Sequence, residues 1–298
     1  MGRRAAGELR SAPARPLPVW LDGRIVSGAR ARISVLDRGF LYGDAAFETV
    51  RIYDGRPFLW SAHLRRLETT LRRLSIPKPG FDLRRALDEL LSAAGLREAA
   101  LRMTVTRGAG EGLVPPAGIS PTVLLMVREI PPRLTSDRDK GVRAILLPFG
   151  RGRHGFTSGH KTTDYAAAVQ GRMRASRRGA AEGIYVEDDG TVSEATTSNV
   201  FAVRRGRLLT PPLDAGCLPG ITRASVLRLA RRARMDVQEA ALRAADLGDS
   251  DELFLTGSVI EILPVVRLDR RSIGDGAPGP RTRKLQELYR ALVARASA

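Results

Sequence analysis

The sequence has little cysteine, few aromatic residues and no long apolar run. Cys217 is the one cysteine among 298 residues, so no disulfide can form within the chain. Such cysteine usage is typical of a reducing compartment, and we expect a cytoplasmic protein. No run approaches the roughly 18 apolar residues that a membrane-spanning helix needs, so we expect no membrane partner. No zinc-finger spacing occurs either, and we expect no metal site.

The strong positive charge does not by itself indicate a nucleic-acid partner. Lysine and arginine total 49 against 32 acidic residues, a formal net charge of +17. However, the arginines are scattered along the faces of predicted helices, and aromatic residues make up only 5%. No RNA-binding aromatic motif or heptad-linked basic region occurs. A solvated arginine-rich surface accounts for the charge, and we expect no nucleic-acid partner.

Length and local composition predict two domains. A chain of 298 residues exceeds the usual size of one domain, and 43% hydrophobic residues suit a globular enzyme. Residues 1–16 are basic, rich in alanine and proline and without periodicity, so we expect them to be disordered. The stretch from Glu129 to Asp137 is rich in proline and then charged, which is typical of a linker. We therefore predict an N-terminal domain over residues 17–134 and a C-terminal domain over residues 135–298.

The periodicity predicts a mixture of strands and helices, and hence an α+β fold. Short alternating runs between Val19 and Ile52 indicate antiparallel strands, and leucines at helical spacing follow Ser61. The other predicted helices cover 83–94, 163–178, 221–234 and 282–293. The other predicted strands cover 101–106, 122–128, 142–147, 237–240 and 253–256, with two hairpins within 183–195 and 199–211.

Lys161 and Glu194 together suggest a chemistry that neither residue suggests alone. Lys161 follows a glycine-rich stretch and precedes a predicted helix, and an isolated lysine there would ordinarily lie on the surface. Glu194 lies in the run VSEATTSNVF, where an exposed strand acid would mean little. Pyridoxal phosphate needs an amine that forms a Schiff base with its aldehyde and an acid that keeps its pyridine nitrogen protonated. Asn199, in the same run, is a candidate for orienting the backbone, with an ordinary turn amide as the alternative.

Three further motifs supply candidate ligands for a cofactor phosphate. Pro219-Gly220-Ile221-Thr222 has the form of an anion-binding helix start, because glycine permits close approach and backbone N–H groups point outward. Alone, this motif would be only a helix cap. Thr256-Gly257-Ser258 follows a predicted buried strand and offers a hydroxyl. Arg65 lies in the first turn of the helix after Ser61, and a guanidinium can make paired contacts with phosphate oxygens. The combination predicts a pyridoxal-phosphate enzyme.

With these residues the chain resembles the class IV (fold type IV) pyridoxal-phosphate enzymes, which include branched-chain aminotransferases, D-amino-acid transaminases and aminodeoxychorismate lyases. The resemblance runs in order from about Val19 to the C-terminus. It is carried by the stretches DRGFLYGDAAFETVRIYDG, HLRRLETTLRRL, ALRMTVTRG, HKTTDY, VSEATTSNVF, LPGITR and LFLTGSVIEILPV. The resemblance implies a small N-terminal α/β domain, a larger C-terminal pseudo-barrel and a cofactor in the cleft between them. It also implies a homodimer in which the partner subunit helps to close the substrate pocket.

The resemblance also implies a role for each matching residue. Lys161 would be the Schiff-base lysine and Glu194 the partner of the pyridine nitrogen. Tyr165 would hydrogen-bond the phenolic oxygen of the cofactor, and Leu218 would pack against its ring. The phosphate would be held by Arg65, by the N–H of Ile221, and by Thr222 and Thr256. The candidates that face the substrate are Tyr42, Phe47, Arg102, Arg107, Gly257 and Ser258.

The substrate is less well specified than the cofactor. Phe47 resembles the pocket aromatic of branched-chain enzymes, with simple core packing as the alternative. Arg102 matches an arginine of their first-domain strand, with a structural ion pair as the alternative. The stretch after Gly108 lacks the Arg-x-His pair with which D-amino-acid transaminases bind the substrate carboxylate. The segment from Lys161 to Tyr165 is one residue shorter than the usual branched-chain pattern, and this spacing is closer to that of lyases and D-transaminases.

We therefore predict an aminotransferase that transfers the amino group of a small, branched-chain or other aliphatic, amino acid to a 2-keto acid. An aminodeoxychorismate lyase, which uses the same lysine and cofactor for an elimination, is one alternative. A D-amino-acid transaminase is another. A basic binding protein without catalysis is a further possibility, against which the intact Lys161 and Glu194 argue.

Overall fold

The computed structural model describes residues 17–297, which form two β-sheets with helices packed on them. The predicted disorder of residues 1–16 lies outside the described residues. The strands of the first sheet are β1 (Pro18–Leu21), β2 (Arg24–Ser27), β3 (Ala45–Tyr53), β4 (Arg56–Pro57), β5 (Ala99–Thr106) and β6 (Val123–Arg128). They pair antiparallel in the order β2-β1-β6-β5-β3-β4.

Three helices accompany this sheet: α1 (Arg38–Tyr42), α2 (Trp60–Arg73) and α3 (Leu83–Ala94). The local sequence sets the ends of α3. The Asp82 side chain accepts hydrogen bonds from the first-turn N–H groups, and Gly95 adopts the left-handed conformation that ends the helix. Leu67 and Leu71 of α2 and Leu87 and Leu90 of α3 are buried in one core with the inward side chains of β3, β5 and β6. Burial of this apolar surface fixes α2 against β3, and the predicted active site begins there.

The second half of the chain forms a ten-stranded sheet. Its strands are β7 (Val142–Leu147), β8 (Glu182–Val186), β9 (Thr191–Ala195), β10 (Asn199–Arg204), β11 (Arg207–Thr210), β12 (Val237–Glu239), β13 (Leu242–Arg243), β14 (Glu252–Gly257), β15 (Glu261–Leu268) and β16 (Arg271–Ser272). The order is β12-β11-β10-β14-β15-β7-β8-β9-β13, and β16 pairs with β15. Strand β7 is parallel to both of its neighbours, and β11 is parallel to β12. The predicted hairpins are β8–β9 and β10–β11.

Five helices belong to this part of the chain: α4 (Arg133–Lys140), α5 (Ala166–Arg177), α6 (Ile221–Arg232), α7 (Ala244–Gly248) and α8 (Pro280–Ser297), with a short 3₁₀ turn at Leu213–Ala215. Helices α6 and α8 cover one face of the sheet. Val226 and Tyr289 share a buried core there with Phe201 and Phe254, whose rings stack at 5.0 Å. This packing fixes the start of α6 at the edge of the cleft between the sheets.

The segment predicted as an interdomain linker contains helix α4. Arg138 of α4 pairs with Glu261 of β15, and Gln286 of α8 donates a hydrogen bond to the Arg138 carbonyl at 3.0 Å. These contacts attach α4 to the second sheet, although the predicted boundary at residue 134 falls inside this helix. Leu134 is its one buried residue, which explains why the segment shows little periodicity in the sequence.

The two sheets meet directly where Lys161 lies. The loop between β7 and α5 forms an isolated bridge with β3, at Thr162 and Ala46. Farther along β3, the Tyr53 hydroxyl donates to Glu261 Oε1 at 2.8 Å. Strand β3 therefore contributes to both its own sheet and the interface with the second one.

No helix within residues 17–297 has the length and apolar character needed to cross a membrane. In the same part of the chain, no group of histidine, cysteine and acidic side chains is arranged to hold a metal ion.

Candidate active site

Lys161 is held by main-chain contacts from both halves of the molecule. Its carbonyl accepts a hydrogen bond from the Phe47 N–H at 3.0 Å, and its own N–H lies 3.4 Å from Thr70 Oγ1 of α2. Two residues on, the Thr163 N–H donates to the Ala45 carbonyl at 3.1 Å. Because these bonds use the backbone, the Lys161 side chain is free to serve a reaction.

The amine of Lys161 lies against an aromatic ring, among charged groups of both signs. Its Nζ is 4.4 Å from the centroid of the Phe47 ring. Burial, followed by the charge of Arg66, lowers the pKa of Lys161 to about 8, although Glu48 and Glu194 act in the opposite direction. About a tenth of the amine is therefore neutral at pH 7, and the neutral form is the one that a nucleophilic lysine uses.

Arg66, and not Arg65, points into this site. The Arg65 side chain is exposed on the far side of α2, so the prediction that it binds phosphate is wrong in register by one residue. The Arg66 guanidinium lies between the two sheets, where Nη1 donates to the Pro219 carbonyl at 3.0 Å just before α6. Its Nε and Nη2 each donate at 2.8 Å to the buried carboxylate of Glu48. Arg66 therefore takes the position that we predicted for its neighbour.

Glu194 is buried on β9, and its carboxylate is held from two sides. Its Oε2 accepts a hydrogen bond from the Leu218 N–H at 3.0 Å, and its Oε1 pairs with Arg151. Glu194 also lies close enough to Lys161 to act on the pKa of its amine. The structure therefore brings Lys161, Glu194 and Leu218 together, and it adds Arg151, which the sequence interpretation missed.

The start of α6 has the predicted anion-binding form. Gly220 is the N-cap residue and supplies no side-chain cap, so the first N–H groups of the helix have no partner from that side chain. Asn199 donates from Nδ2 to the Leu218 carbonyl at 2.9 Å, and a β-carbon on Gly220 would come within 1.9 Å of Asn199 Oδ1. Asn199 thus orders the turn before α6, and glycine is required there by close approach. Thr222, the second residue of α6, is buried. Burial raises the pKa of the nearby Tyr289, and the Thr222 side chain acts to lower it.

Thr256 completes this side of the cleft. It lies at the end of β14, directly opposite Asn199 of β10. Its Oγ1 is buried and has no hydrogen-bond partner among the described residues. A buried hydroxyl without a partner costs free energy, which a polar ligand in the cleft would recover. Gly257 and Ser258, predicted to face the substrate, follow at the strand end and are half-buried.

Phe47, Tyr165 and Arg102 form one cluster beside Lys161. The rings of Phe47 and Tyr165 meet edge to face at 5.1 Å, and the Arg102 Cζ lies 3.9 Å from the Phe47 centroid. Within residues 17–297 the Arg102 side chain has no ion-pair partner, so the alternative of a structural ion pair does not apply. Burial, followed by the charge of Arg128, lowers the pKa of Arg102. This cluster offers an aromatic surface and one unpaired cation.

Arg107 is engaged in structural contacts, unlike the substrate-facing role predicted for it. Its guanidinium pairs with both carboxylate oxygens of Asp44, the shorter contact being 2.6 Å, and also donates to the Leu74 and Ser75 carbonyls. Its planar fork has few donors left for a ligand. The structure therefore gives Arg107 a structural contact in place of the predicted substrate contact, because the ion pair with Asp44 uses the guanidinium to fasten the loop after β5.

Tyr42 lies on α1 at the outer rim of the site. It is partly exposed beneath Arg38, whose Cζ is 4.9 Å from the ring centroid. A cleft of about 510 Å³ runs from Tyr42 to Tyr165 past Asp44 and Thr163. Thr162, the neighbour of Lys161, also lines this cleft, whereas Lys161 and Glu194 do not.

The residues on the second-sheet side fit a cofactor that carries a phosphate and a basic ring nitrogen. The orphaned Thr256 hydroxyl and the uncapped start of α6 supply donors for a phosphate, and Glu194 supplies a fixed carboxylate. Lys161 supplies the amine between them.

Comparisons with a family model and with known proteins agree on one family. A family model described as Amino-transferase class IV matches residues 45–268. A putative branched-chain-amino-acid aminotransferase of Methanocaldococcus jannaschii is 36% identical over 278 residues, which cover 92% of this chain and 96% of the relative. The aminodeoxychorismate lyase of Bacillus subtilis is 32% identical over 279 residues, which cover 91% of this chain and 93% of the relative.

Solved structures show the same fold. The crystal structure of the branched-chain amino acid aminotransferase of Escherichia coli superposes with a TM-score of 0.86 at 28% identity, over 93% of this chain and 94% of that one. A hypothetical aminotransferase from Mycobacterium tuberculosis in its PLP-bound form gives a TM-score of 0.82 at 33% identity, over 92% and 98% of the two chains.

Proposed function

Because the chain belongs to the class IV aminotransferase family, we propose that it transfers the amino group of a branched-chain or other small aliphatic amino acid to a 2-keto acid, with pyridoxal phosphate as cofactor. The observation that carries this proposal is the environment of Lys161. Its amine, with a pKa lowered to about 8, lies among a fixed carboxylate, an arginine and an uncapped helix start. Each of these groups matches one part of the proposed cofactor.

The second-sheet side of the cleft would hold the cofactor. We assign the phosphate to Arg66, the N–H groups of Ile221 and Thr222, and the hydroxyls of Thr222 and Thr256. Gly220 leaves room for that phosphate, and Asn199 orders the turn behind it. Tyr165 would donate to the phenolic oxygen of the ring, and Leu218 would lie against its face. Glu194, fixed by the Leu218 N–H and Arg151, would bind the ring nitrogen.

Lys161 is the residue that moves the proton. Pyridoxal phosphate, when bound, supplies an aldehyde for the amine and a ring that withdraws electrons. With a pKa near 8, Lys161 Nζ can accept a proton from the substrate α-carbon and release it again at neutral pH. The backbone bonds of Lys161 to Phe47 and Thr70 keep Nζ within reach of the same carbon during both transfers.

The side of the cleft formed by the first sheet would select the substrate. Phe47 and Tyr165 present aromatic surface to an aliphatic side chain, and Arg102 presents an unpaired cation to a carboxylate. The half-buried backbone at Gly257 and Ser258 and the rim residue Tyr42 complete the candidate pocket. The similarity to the putative branched-chain-amino-acid aminotransferase of Methanocaldococcus jannaschii supports a branched-chain substrate.

A panel of amino donors tests this proposal. The cofactor-loaded protein is assayed with L-valine, L-leucine, L-isoleucine and D-alanine, each with 2-oxoglutarate or pyruvate as acceptor. We expect transfer from the branched L-amino acids that depends on the acceptor. Borohydride reduction followed by peptide mapping should locate the cofactor on Lys161. A protein that stays colourless with pyridoxal phosphate and gives no reduced adduct would refute the proposal.

A lyase is the second candidate, and the similarity to the Bacillus subtilis aminodeoxychorismate lyase favours it. An elimination uses the same lysine and cofactor but needs no keto-acid acceptor. Aminodeoxychorismate is therefore included in the donor panel without acceptor. Release of pyruvate in that arm, with no transfer from branched L-amino acids, would select the lyase.

We also propose that the active form is a cytoplasmic homodimer. Several large apolar side chains are exposed near the site mouth: Val35, Phe40, Leu113 and Val114. Arg38, beneath which Tyr42 lies, donates hydrogen bonds to the Gly112 and Leu113 carbonyls. The loop that presents this apolar surface is therefore attached to the rim of the cleft, where a second copy would help to close it. Sedimentation equilibrium of the cofactor-loaded protein tests the dimer, and a monomer at micromolar concentration would refute it.

A further inference from the structure

One charged cluster lies behind the site and makes no direct contact with the groups assigned to the reaction except through Arg66. It consists of Glu48 on β3 and His63 and Arg66 on α2. Glu48 is completely buried, and its carboxylate lies 2.8 Å from His63 Nδ1. The same carboxylate accepts the two bonds from Arg66 Nε and Nη2. Glu48 therefore has three donors and no contact with solvent.

Arg66 gives only one edge of its guanidinium to Glu48. Nε and Nη2 form that edge, while Nη1 donates to the Pro219 carbonyl beside the start of α6. One N–H group remains on each of Nη1 and Nη2. An arginine makes its bidentate contact with phosphate through such a pair of parallel N–H groups. The ion pair with Glu48 thus uses the Nε–Nη2 edge and leaves an N–H group on each terminal nitrogen for a phosphate.

The charges of the cluster are fixed over the working pH range. Burial alone would raise the pKa of Glu48, but hydrogen bonds from Arg66 and His63 and the charge of Arg66 lower it to about 2, so the carboxylate stays ionised. Burial lowers the pKa of His63 despite the neighbouring Glu48, so near neutral pH the ring is uncharged and donates Nδ1–H. Lys161 is the remaining charged group that acts on this cluster.

We propose that Glu48, supported by His63, is a positioning residue that holds Arg66 in the orientation needed to bind the cofactor phosphate. A free arginine loses rotamer freedom when a phosphate immobilises it, whereas an arginine already fixed by a buried carboxylate does not. The charge of Glu48 would by itself weaken phosphate binding, because a carboxylate repels a phosphate. The inference rests on the proposed function, because the phosphate in question belongs to the proposed cofactor.

Cofactor binding with and without the phosphate tests the proposal. Dissociation constants for pyridoxal phosphate and for pyridoxal, which has the same ring and aldehyde, are measured by absorbance with wild type, Glu48→Gln and Arg65→Gln. We expect Glu48→Gln to weaken pyridoxal phosphate binding about tenfold, the equivalent of one charge-assisted hydrogen bond. Pyridoxal binding should change less than about twofold, since Arg66 would not contact it. Arg65→Gln, an exposed arginine one residue away, should change neither constant.

Each other outcome counts against the proposal. Unchanged or tighter binding of pyridoxal phosphate by Glu48→Gln overturns it, and so does equal weakening for both ligands, which would indicate a general structural role. In an Arg66→Lys background the Glu48→Gln effect should shrink, because it acts through the guanidinium. If Glu48→Gln does not fold, His63→Leu replaces it, and this variant must weaken binding of the phosphorylated ligand alone. Failure of the wild type to bind pyridoxal phosphate would instead refute the proposed function.

Discussion

The two sides of the cleft around Lys161 differ in whether their buried polar groups have partners within the protein. The first-sheet wall consists of Phe47, Glu48, Arg66 and Arg102, and its acid is fully paired inside the protein. The second-sheet wall consists of Glu194, Leu218, Thr222 and Thr256. It presents an orphaned hydroxyl and the uncapped start of α6.

This difference indicates that the two walls of the cleft have different roles. Buried donors without partners lower the stability of the free protein, so their survival on the second-sheet wall indicates a ligand that normally satisfies them. The first-sheet wall instead keeps Arg66 fixed and leaves one cation, Arg102, unpaired beside an aromatic surface. This difference supports our proposal that the second wall binds the cofactor, whereas the first orients it and contacts the substrate.

The largest effect on turnover is expected from a substitution of Lys161, which lies where the two walls meet. Lys161→Ala should lower turnover with any accepted donor by about 10²–10⁴-fold or more, because it removes the group that transfers the proton. Folding should survive, since Lys161 contacts Phe47 and Thr70 through its backbone. Steady-state rates and thermal unfolding measure the two effects. Lys140→Ala, an exposed lysine of α4, is the control and should alter neither. Normal turnover by Lys161→Ala would show that Lys161 is not the reacting residue, and the two walls, which are defined around it, would then lose their assigned roles.

The second largest effect concerns the pH dependence of the first-sheet wall. The pKa of Glu48 is about 2 in the folded protein against an ordinary 4.5. A depressed acid pKa contributes stability that is present above the unfolded value and is lost as the pH falls toward the folded one. Glu48 should therefore contribute on the order of 3 kcal/mol at neutral pH, lost between pH 4.5 and 2.

Urea unfolding from pH 7 to pH 2 measures this loss. The free energy of unfolding should fall more steeply below pH 4.5 in the wild type than in Glu48→Gln, which has no carboxyl to protonate. His63 acts in the same direction at higher pH, because burial lowers its pKa and the unfolded ring gains its proton first. Parallel curves for wild type and variant below pH 4.5 would contradict the pairing of Glu48.

The second-sheet wall was easier to predict from the sequence than the first. Glu194, Asn199 and the 219–222 turn lie in short local motifs, where glycine, proline and a neighbouring strand determine the geometry within a few residues. The fold class and the C-terminal pseudo-barrel were also predicted from the resemblance, and the match to the Escherichia coli enzyme confirms that fold. These motifs are visible in the sequence as short runs, although the hydrogen-bond partners of Glu194 and Asn199 lie 19 to 43 residues away.

The first-sheet wall depends on contacts between distant residues. Arg107 pairs with Asp44 and Glu48 with Arg66, and no local pattern announces either pairing. The Arg65 error, in contrast, was avoidable. His63, Leu67 and Thr70 are buried on α2, and residue 66 lies on their side of a helix with 3.6 residues per turn, whereas residue 65 lies opposite. Arg151 gave no comparable signal, since it stands in a glycine-rich loop without periodicity.

A third prediction tests whether the unpaired hydroxyl of the second-sheet wall binds a ligand. Thr256→Val replaces the orphaned hydroxyl with a methyl group of similar size. The cofactor-free variant should be as stable as the wild type or more stable, because the unsatisfied polar atom is gone. Binding of pyridoxal phosphate should weaken about tenfold, the value of one hydrogen bond to a charged group.

Thr210→Val supplies the matched control for that substitution. Thr210 is also a buried threonine of the second sheet, but its hydroxyl donates to the Val200 carbonyl at 2.7 Å. This variant should lose about 1 kcal/mol of stability and keep its cofactor affinity. Thermal unfolding without cofactor and absorbance titration with it give both quantities. If Thr256→Val lost stability as Thr210→Val does, its hydroxyl would have a partner in the free protein.

The smallest effects should separate two arginines of β5 and its following loop, Arg102 and Arg107. Arg107→Gln breaks a half-buried ion pair, yet Asp44 keeps Arg38 at 3.2 Å, so we expect a loss of only about 1–2 kcal/mol in the free energy of unfolding. The KM for the keto acid should stay within about twofold, because the Arg107 fork faces Asp44 and backbone carbonyls.

Arg102→Gln should give the reverse result. Its guanidinium has no acidic partner within residues 17–297, so removing it costs little stability, while the KM for the keto acid should rise about tenfold through the loss of a charged contact. Urea unfolding and steady-state kinetics on both variants measure the two quantities side by side. An increase in KM with Arg107→Gln and none with Arg102→Gln would assign the substrate contact to Arg107 instead of Arg102. The substrate-binding part of the first-sheet wall would then include the loop after β5.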